Sequence, residues 1–165
     1  MAVALDRVPV DAPAFRDAMA LLAAAVNVVT TDGPAGRHGF TASAVTSVTD
    51  SPATLLVCAR RDGSATPAIR ANGVVCVNTL AAGQQEIGGR FGGRLAAEDR
   101  FAGAAWSRLV TGAPALDGAL VACDCRIASV VEVGTHSVLF CEVLAVATRP
   151  GAEALLWFRR GYRTL

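Results

Sequence analysis

Four hydroxyl residues, Thr41, Ser43, Thr46 and Ser47, punctuate the segment Gly39-Phe40-Thr41-Ala42-Ser43-Ala44-Val45-Thr46-Ser47. In an extended chain, alternation sets Thr41, Ser43 and Ser47 on one face. The alanines between them, Ala42 and Ala44, carry so little bulk that a planar ligand could lie close to the backbone, with hydroxyls and N–H groups at its polar edge. A solvent-facing strand rich in Ser and Thr has the same pattern, and the residues alone leave both readings open.

A second candidate is the turn Arg60-Arg61-Asp62-Gly63-Ser64-Ala65-Thr66. Paired guanidiniums, hydroxyls and the free N–H groups of a helix start would together seat a phosphate. A charged turn followed by a capping serine is the plainer alternative. A third is Gly134-Thr135-His136, a tight turn that presents one of the chain's 2 histidines. There an imidazole could meet a ribose, a phosphate or a nicotinamide amide, or it could simply face water. His38, in a flexible turn, reads as solvent-exposed.

Other chemistries lack their parts. Cys123 and Cys125 share a strand face, but no second pair stands at zinc spacing, so no metal site is expected. No Gly-x-Ser-x-Gly elbow marks a hydrolase. The glycines of Gly88-Gly89-Arg90-Phe91-Gly92-Gly93 follow a helical stretch rather than a strand, the wrong setting for a dinucleotide fingerprint.

The elements that must position these residues come from a chain of 165 residues, 53% hydrophobic and 18% charged, which is enough for one core and one domain. A net charge of +1 gives no field that would gather nucleic acid or an anionic membrane. The cysteines, 5 in all, sit in apolar runs as free thiols would in a reducing cytoplasm. Neither a signal peptide nor an unbroken membrane span is expected, which reads as a soluble cytoplasmic protein.

Along the chain, residues 1–13 read as a flexible arm and residues 14–165 as the domain. Phe15, Ala18, Met19, Leu22 and Ala25 have helical spacing. Val26 to Thr31 and Gly39 to Ser47 read as a hairpin across Asp32-Gly33-Pro34-Ala35-Gly36. Ala53 to Ala59 reads as a strand buried on both faces, followed by a short helix from Pro67 to Ala71 capped by Ser64 or Thr66. Val74 to Leu80 is another strand. Gln84 to Phe101 reads as a short helix plus an irregular loop, and Leu109 to Leu116 as loop. Ala119 to Val133, Ser137 to Thr148 and Leu155 to Tyr162 read as long strands. Strands in this number, with short helices in front and in the middle, predict a mainly β fold built on a closed antiparallel, Greek-key-like barrel.

Order and spacing of several segments resemble one family. They are Phe15-Arg16-Asp17-Ala18-Met19, Val26 to Thr31, Gly39 to Ala44, Ser47 to Pro52, Val77-Asn78-Thr79-Leu80, Arg90-Phe91-Gly92-Gly93, Gly134-Thr135-His136 and Trp157 to Arg163. The chain resembles the short-chain flavin reductases with an FMN-binding split barrel, which include the reductase components of two-component flavin monooxygenases. Within that family the resemblance is nearest to the reductases of pyrimidine utilisation and of 4-hydroxyphenylacetate 3-monooxygenation. It departs from the family's Gly-Asp-His at Thr135 and from its Pro-Pro pair at Pro52-Ala53.

The resemblance implies an NAD(P)H:flavin oxidoreductase, a homodimer that supplies reduced flavin to a flavin-dependent monooxygenase. It implies FMN, with FAD as the alternative, and NADH, with NADPH as the alternative. It implies an isoalloxazine lying along Thr41, Ala42, Ser43 and Ala44, with Ser47 near the nicotinamide. Ala59, Arg60, Arg61, Ser64 and Ala65 would hold the ribityl and phosphate groups, with Phe91 beside them. His136 would contact the nicotinamide nucleotide as the catalytic group, and Tyr162 and Arg163 would close the pocket. Competing functions are a flavin-binding electron carrier without nicotinamide turnover and an oxidase like that of pyridoxine phosphate.

Overall fold

The computed structural model describes residues 9–165. The expected arm over residues 1–8 lies outside the described residues, and its last two residues, Ala12 and Pro13, already belong to a helix. Helix α1 (Ala12–Met19) starts early because the Asp11 carboxylate accepts the Ala14 N–H at 2.7 Å and Pro13 fits the first turn. In chain order there follow β1 (Ala24–Ala25), β2 (Asn27–Thr31), β3 (His38–Ala42), β4 (Val45–Asp50), β5 (Ala53–Arg60), α2 (Thr66–Asn72) and β6 (Val74–Thr79). Then come α3 (Gln85–Gly92), α4 (Ala97–Arg100), β7 (Trp106–Arg108), β8 (Pro114–Leu116), β9 (Val121–Val133), β10 (His136–Thr148), β11 (Leu155–Phe158) and β12 (Gly161–Thr164).

The main sheet has 7 strands in the order β3-β2-β6-β9-β10-β5-β4, all neighbours antiparallel. Strands β3 and β4 are its two edges, yet only Ser43 and Ala44 separate them in sequence. In a flat sheet those edges would stand roughly 29 Å apart at about 4.8 Å per strand. The short connection reaches about 10 Å at most. The sheet is therefore curled into a barrel whose seam is Ser43-Ala44, where Ala44 accepts the Cys58 N–H at 3.0 Å. Closure corrects the expectation of one strand over Gly39 to Ser47, because the chain leaves one edge and joins the other.

The two larger cores lie on opposite sides of the barrel wall. Val29, Val57, Val75, Val77, Leu139 and Cys141 fill the interior, which Ala65 and Ile69 plug from the α2 end. Outside, Val26, Val28, Leu80, Phe91, Phe101 and Leu155 pack beneath α3, α4 and the small sheet β1-β11-β12. Strand β2 is buried at every position because Val28 faces the outer core and Val29 the inner one. Asn78 braces this wall: its amide N–H group donates to the Val28 carbonyl at 3.1 Å, and its oxygen accepts the Leu116 N–H at 2.7 Å. A buried amide so partnered escapes the 1–3 kcal/mol or so that an unsatisfied one costs.

Four further expectations change. Strand β5 alternates buried and half-buried positions, so only one of its faces is fully in the core. Helix α2 has Ala65 at its N-cap with no side-chain cap; the Thr66 hydroxyl donates instead to the Arg60 carbonyl at 2.6 Å. The tail is a hairpin rather than one strand, turning at Arg159 and Arg160, both with positive φ, of 50° and 57°. The stretch before Leu116, expected as loop, contributes β8 to a ribbon with β7.

Candidate functional site

Helix α3 lies against β3 because glycine lets it. A Cβ at Gly39 would stand 2.7 Å from the Phe91 ring and 2.8 Å from the Val29 carbonyl, closer than packed atoms approach. The Thr41 hydroxyl then donates to the Gly88 carbonyl at 2.6 Å. Gly88 and Gly92 are four apart and share a helix face. A Cβ on Gly92 would lie 3.7 Å from Thr41, while one on Gly89 would meet nothing within 4 Å.

Between β3, α3 and the tail hairpin opens a cleft of about 380 Å³, walled by Thr41, Ala42, Ser43, the α3 glycines, Trp157 and Tyr162. The two aromatic rings meet edge to face with centroids 5.1 Å apart. A second hollow, about 640 Å³, shares Thr41 to Ser43, Gly92 and Gly93 and runs on to Arg60, Ser64 and His136. A third, about 770 Å³, shares Arg60, Asp62 and His136 and adds Arg16, Arg61 and the turn Gly134-Thr135. The sequence thus forms one continuous track from an apolar, small-residue end to a charged end.

Most of the expected residues meet here. Thr41, Ala42, Ser43, Ala44, Arg60, Ser64, Ala65, Phe91 and His136 border the second hollow, Tyr162 the first and Arg61 the third. Phe91 is chiefly a core ring, only 2% exposed, packed at 4.9 Å against Phe101 and 5.6 Å against Trp106. Three expected residues do not line the track. Ser47 borders a separate groove with Asn27, Thr79 and Cys123, because the chain crosses the seam before reaching it. Ala59 is buried in the barrel interior. Arg163 is exposed and turns its guanidinium back to the Tyr162 carbonyl at 2.6 Å.

At the charged end Arg60 donates to both Asp62 oxygens, at 2.9 and 2.7 Å. That hydrogen-bonded pair holds the Asp62 carboxyl below its ordinary range and raises the Arg60 guanidinium. Both side chains are about 70% solvent-exposed, so the pair orients Arg60 without adding much stability. His136 opens β10 opposite Arg60 on β5, and its Nδ1 lies 2.9 Å from the Thr135 hydroxyl.

Sequence reasoning weighed Gly88, Gly89, Gly92 and Gly93 as a dinucleotide fingerprint and named Trp157 only in the family resemblance, so none of these was expected as a site residue, nor was Arg100. The glycines carried a signal in their four-residue spacing, which leaves a helix face bare of Cβ atoms. Arg100 carried none. It is 8% exposed and donates to the carbonyls of Gly39 at 2.7 Å and Leu95 at 3.0 Å, tying α4 to the end of β3. The assembly can hold a flat ring against backbone and small side chains and a phosphate at its polar end. Its first hollow offers no acid–base pair.

Residues 19–165 match the flavin reductase like domain family. The chain is 59% identical to the FMN reductase (NADH) RutF of Cronobacter sakazakii over 92% of each protein. It is 61% identical to the protein of the same name from Ancylobacter novellus, over 92% of this chain and 83% of that one. Among solved structures, the Streptomyces globisporus NADH:FAD oxidoreductase SgcE6 in complex with NAD and FAD fragments superposes with a TM-score of 0.87. It shares 28% identity over 94% of this chain and 93% of that one. The fold therefore has its counterpart among solved flavin oxidoreductases, and this chain belongs to the flavin reductase-like domain family.

Proposed function

We propose that the chain is an NADH-dependent FMN reductase that supplies reduced flavin to a flavin-dependent monooxygenase. The observation that carries this reading is the continuous track, which joins a cleft of glycines and small hydroxyl residues to a polar turn bearing His136. The residues present fit a flavin. Gly89 leaves open space where any other residue would place a Cβ, and the opposite wall offers Thr41, Ser43 and backbone groups to a polar ring edge. The names of the relatives at 59% and 61% identity support FMN over FAD and NADH over NADPH.

When bound, the flavin is the hydride acceptor for the nicotinamide, a reaction that needs no general base from the protein. The chain's own residues bind, orient and shield. Thr41 to Ser43 and the α3 glycines hold the ring; Arg60, Ser64 and Ala65 receive the phosphate end; His136 orients the nicotinamide nucleotide. Trp157 and Tyr162 close the apolar end against water. Holding two reactants in register can lower a barrier by about 7 kcal/mol or more, so binding groups alone suffice for catalysis.

A homodimer belongs to the same proposal. The β9–β10 ribbon exposes Val131, Val133, Leu144 and Val146, apolar surface that a second copy would cover. Cytoplasmic residence is supported by free thiols at Cys58, Cys76, Cys123, Cys125 and Cys141. Among the described residues no helix is long and apolar enough to cross a membrane.

Anaerobic mixing with FMN and NADH tests the activity. The visible flavin band should bleach far faster than without protein. A flavin that stays yellow with both nicotinamides overturns the reading in favour of a carrier.

A further inference from the structure

Glu132, near the end of β9, lines none of the hollows described above, yet it gathers groups from three segments that border them. Its carboxylate pairs with Arg61 of the 60–66 turn at 3.2 Å and with Arg70 of α2. It also accepts the fully buried Ser137 hydroxyl, with oxygens at 3.0 and 3.1 Å. Arg61 in turn grips the β9–β10 turn from the other side. Its backbone N–H donates to the Thr135 carbonyl at 3.0 Å and its guanidinium to the Gly134 carbonyl at 3.2 Å. The turn that carries His136 is thus clamped between Arg61 and the strand bearing Glu132.

We infer that Glu132 is a positioning residue: through Arg61 and Ser137 it fixes the Gly134-Thr135 turn and so sets where His136 meets the nicotinamide nucleotide. The inference rests on the reading of His136 given above. The physical ground is that a carboxylate shared by two guanidiniums and a hydroxyl holds its partners in one arrangement, whereas any one bond between exposed groups would not. Glu132, Arg61 and Arg70 all stand at the surface, with side-chain exposures of 36%, 57% and 50%, so the coupling comes from the shared acceptor and from buried Ser137 rather than from shelter.

A mutant cycle tests it. Glu132→Gln keeps the shape and removes the charge; it should raise KM for NADH about three- to tenfold while leaving KM for FMN within about twofold. The double variant Glu132→Gln/His136→Ala should be no worse than His136→Ala alone, since Glu132 acts through that side chain. Arg70→Gln alters the cluster at a side chain that itself lines none of the hollows, so it should move KM for NADH in the same direction by less, and it serves if Glu132→Gln fails to fold. A normal KM for NADH in Glu132→Gln with a raised one in His136→Ala overturns the positioning role while sparing the His136 reading. An unchanged KM in His136→Ala overturns both. Additive effects in the double variant, or a lower Tm with both KM values unmoved, leave Glu132 a structural ion pair only.

Discussion

The Thr41 hydroxyl donates to the Gly88 carbonyl at 2.6 Å, joining an edge strand of the barrel to the helix that faces it. The bond takes the second lone pair of a carbonyl that lies within α3. In return it fixes the width of the cleft, with Ser43 on one side and Gly89 on the other. Strand and helix form one rigid mouth for a flat ligand.

Gly89→Leu should separate binding from folding. Its side chain would enter open space in the cleft, so FMN affinity should fall at least about tenfold. Removing a glycine from a helix interior should meanwhile raise stability by up to about 1 kcal/mol. Fluorescence titration with FMN beside a urea melt checks both; undiminished FMN binding would move the ring elsewhere.

Gly39→Ala should destabilise the whole domain. The new methyl would meet the Phe91 ring at 2.7 Å and a backbone carbonyl at 2.8 Å, and neither can yield without disturbing the outer core. A loss of about 2 kcal/mol in unfolding free energy is expected from such overpacking. The urea midpoint reads it directly, and an unchanged midpoint would show that α3 is free to shift.

Alkaline pH should weaken the fold through its buried thiols. Burial pushes the Cys141 thiol up to about 12 and Cys76 and Cys125 upward as well. Unfolded thiols ionise near about pH 8.5. A folded pKa raised above the unfolded one gives stability that is complete below about pH 8.5 and drains away as pH climbs toward the folded value. Urea melts between about pH 7 and about pH 10 should show this decline, and Cys141→Ala should decline less steeply. Equal slopes would deny that Cys141 ionises on unfolding.

Cys58 is half-buried on the wall of the second hollow. A thiol reagent should therefore modify Cys58 ahead of buried Cys76, Cys125 and Cys141, and saturating FMN should slow that modification at least about fivefold by covering it. Peptide mapping after brief labelling, with and without FMN, decides. Labelling of Cys58 at the same rate in both would place the ligand away from this hollow.

The barrel class and its strand segments were legible because they rest on local signals, β-branched runs and turn residues; of the candidate site, the hydroxyl strand, the Arg60-Arg61 turn and the Gly134 turn carried local marks, whereas Phe91 and Tyr162 came only through the family resemblance. What escaped depended on partners distant in sequence. Nothing local marks Ser43-Ala44 as a break; the break exists because the sheet must close there, and with it goes the shared face of Thr41 and Ser47. The tail turn hid for a different reason. Arg159 and Arg160 take positive φ, which usually calls for glycine or asparagine, so Leu155 to Tyr162 carried no turn residue until Gly161. Arg100 carries no local mark, and only the approach of α4 to Gly39 gives its guanidinium a buried task.

The seam has a kinetic consequence. Ser43 and Ala44 close the cylinder and also form part of the ligand's wall, so that wall cannot swing aside without opening the cylinder itself. A flavin that comes and goes must use a standing doorway rather than a hinged one, and the pace of its exchange is then governed by how tightly the doorway grips.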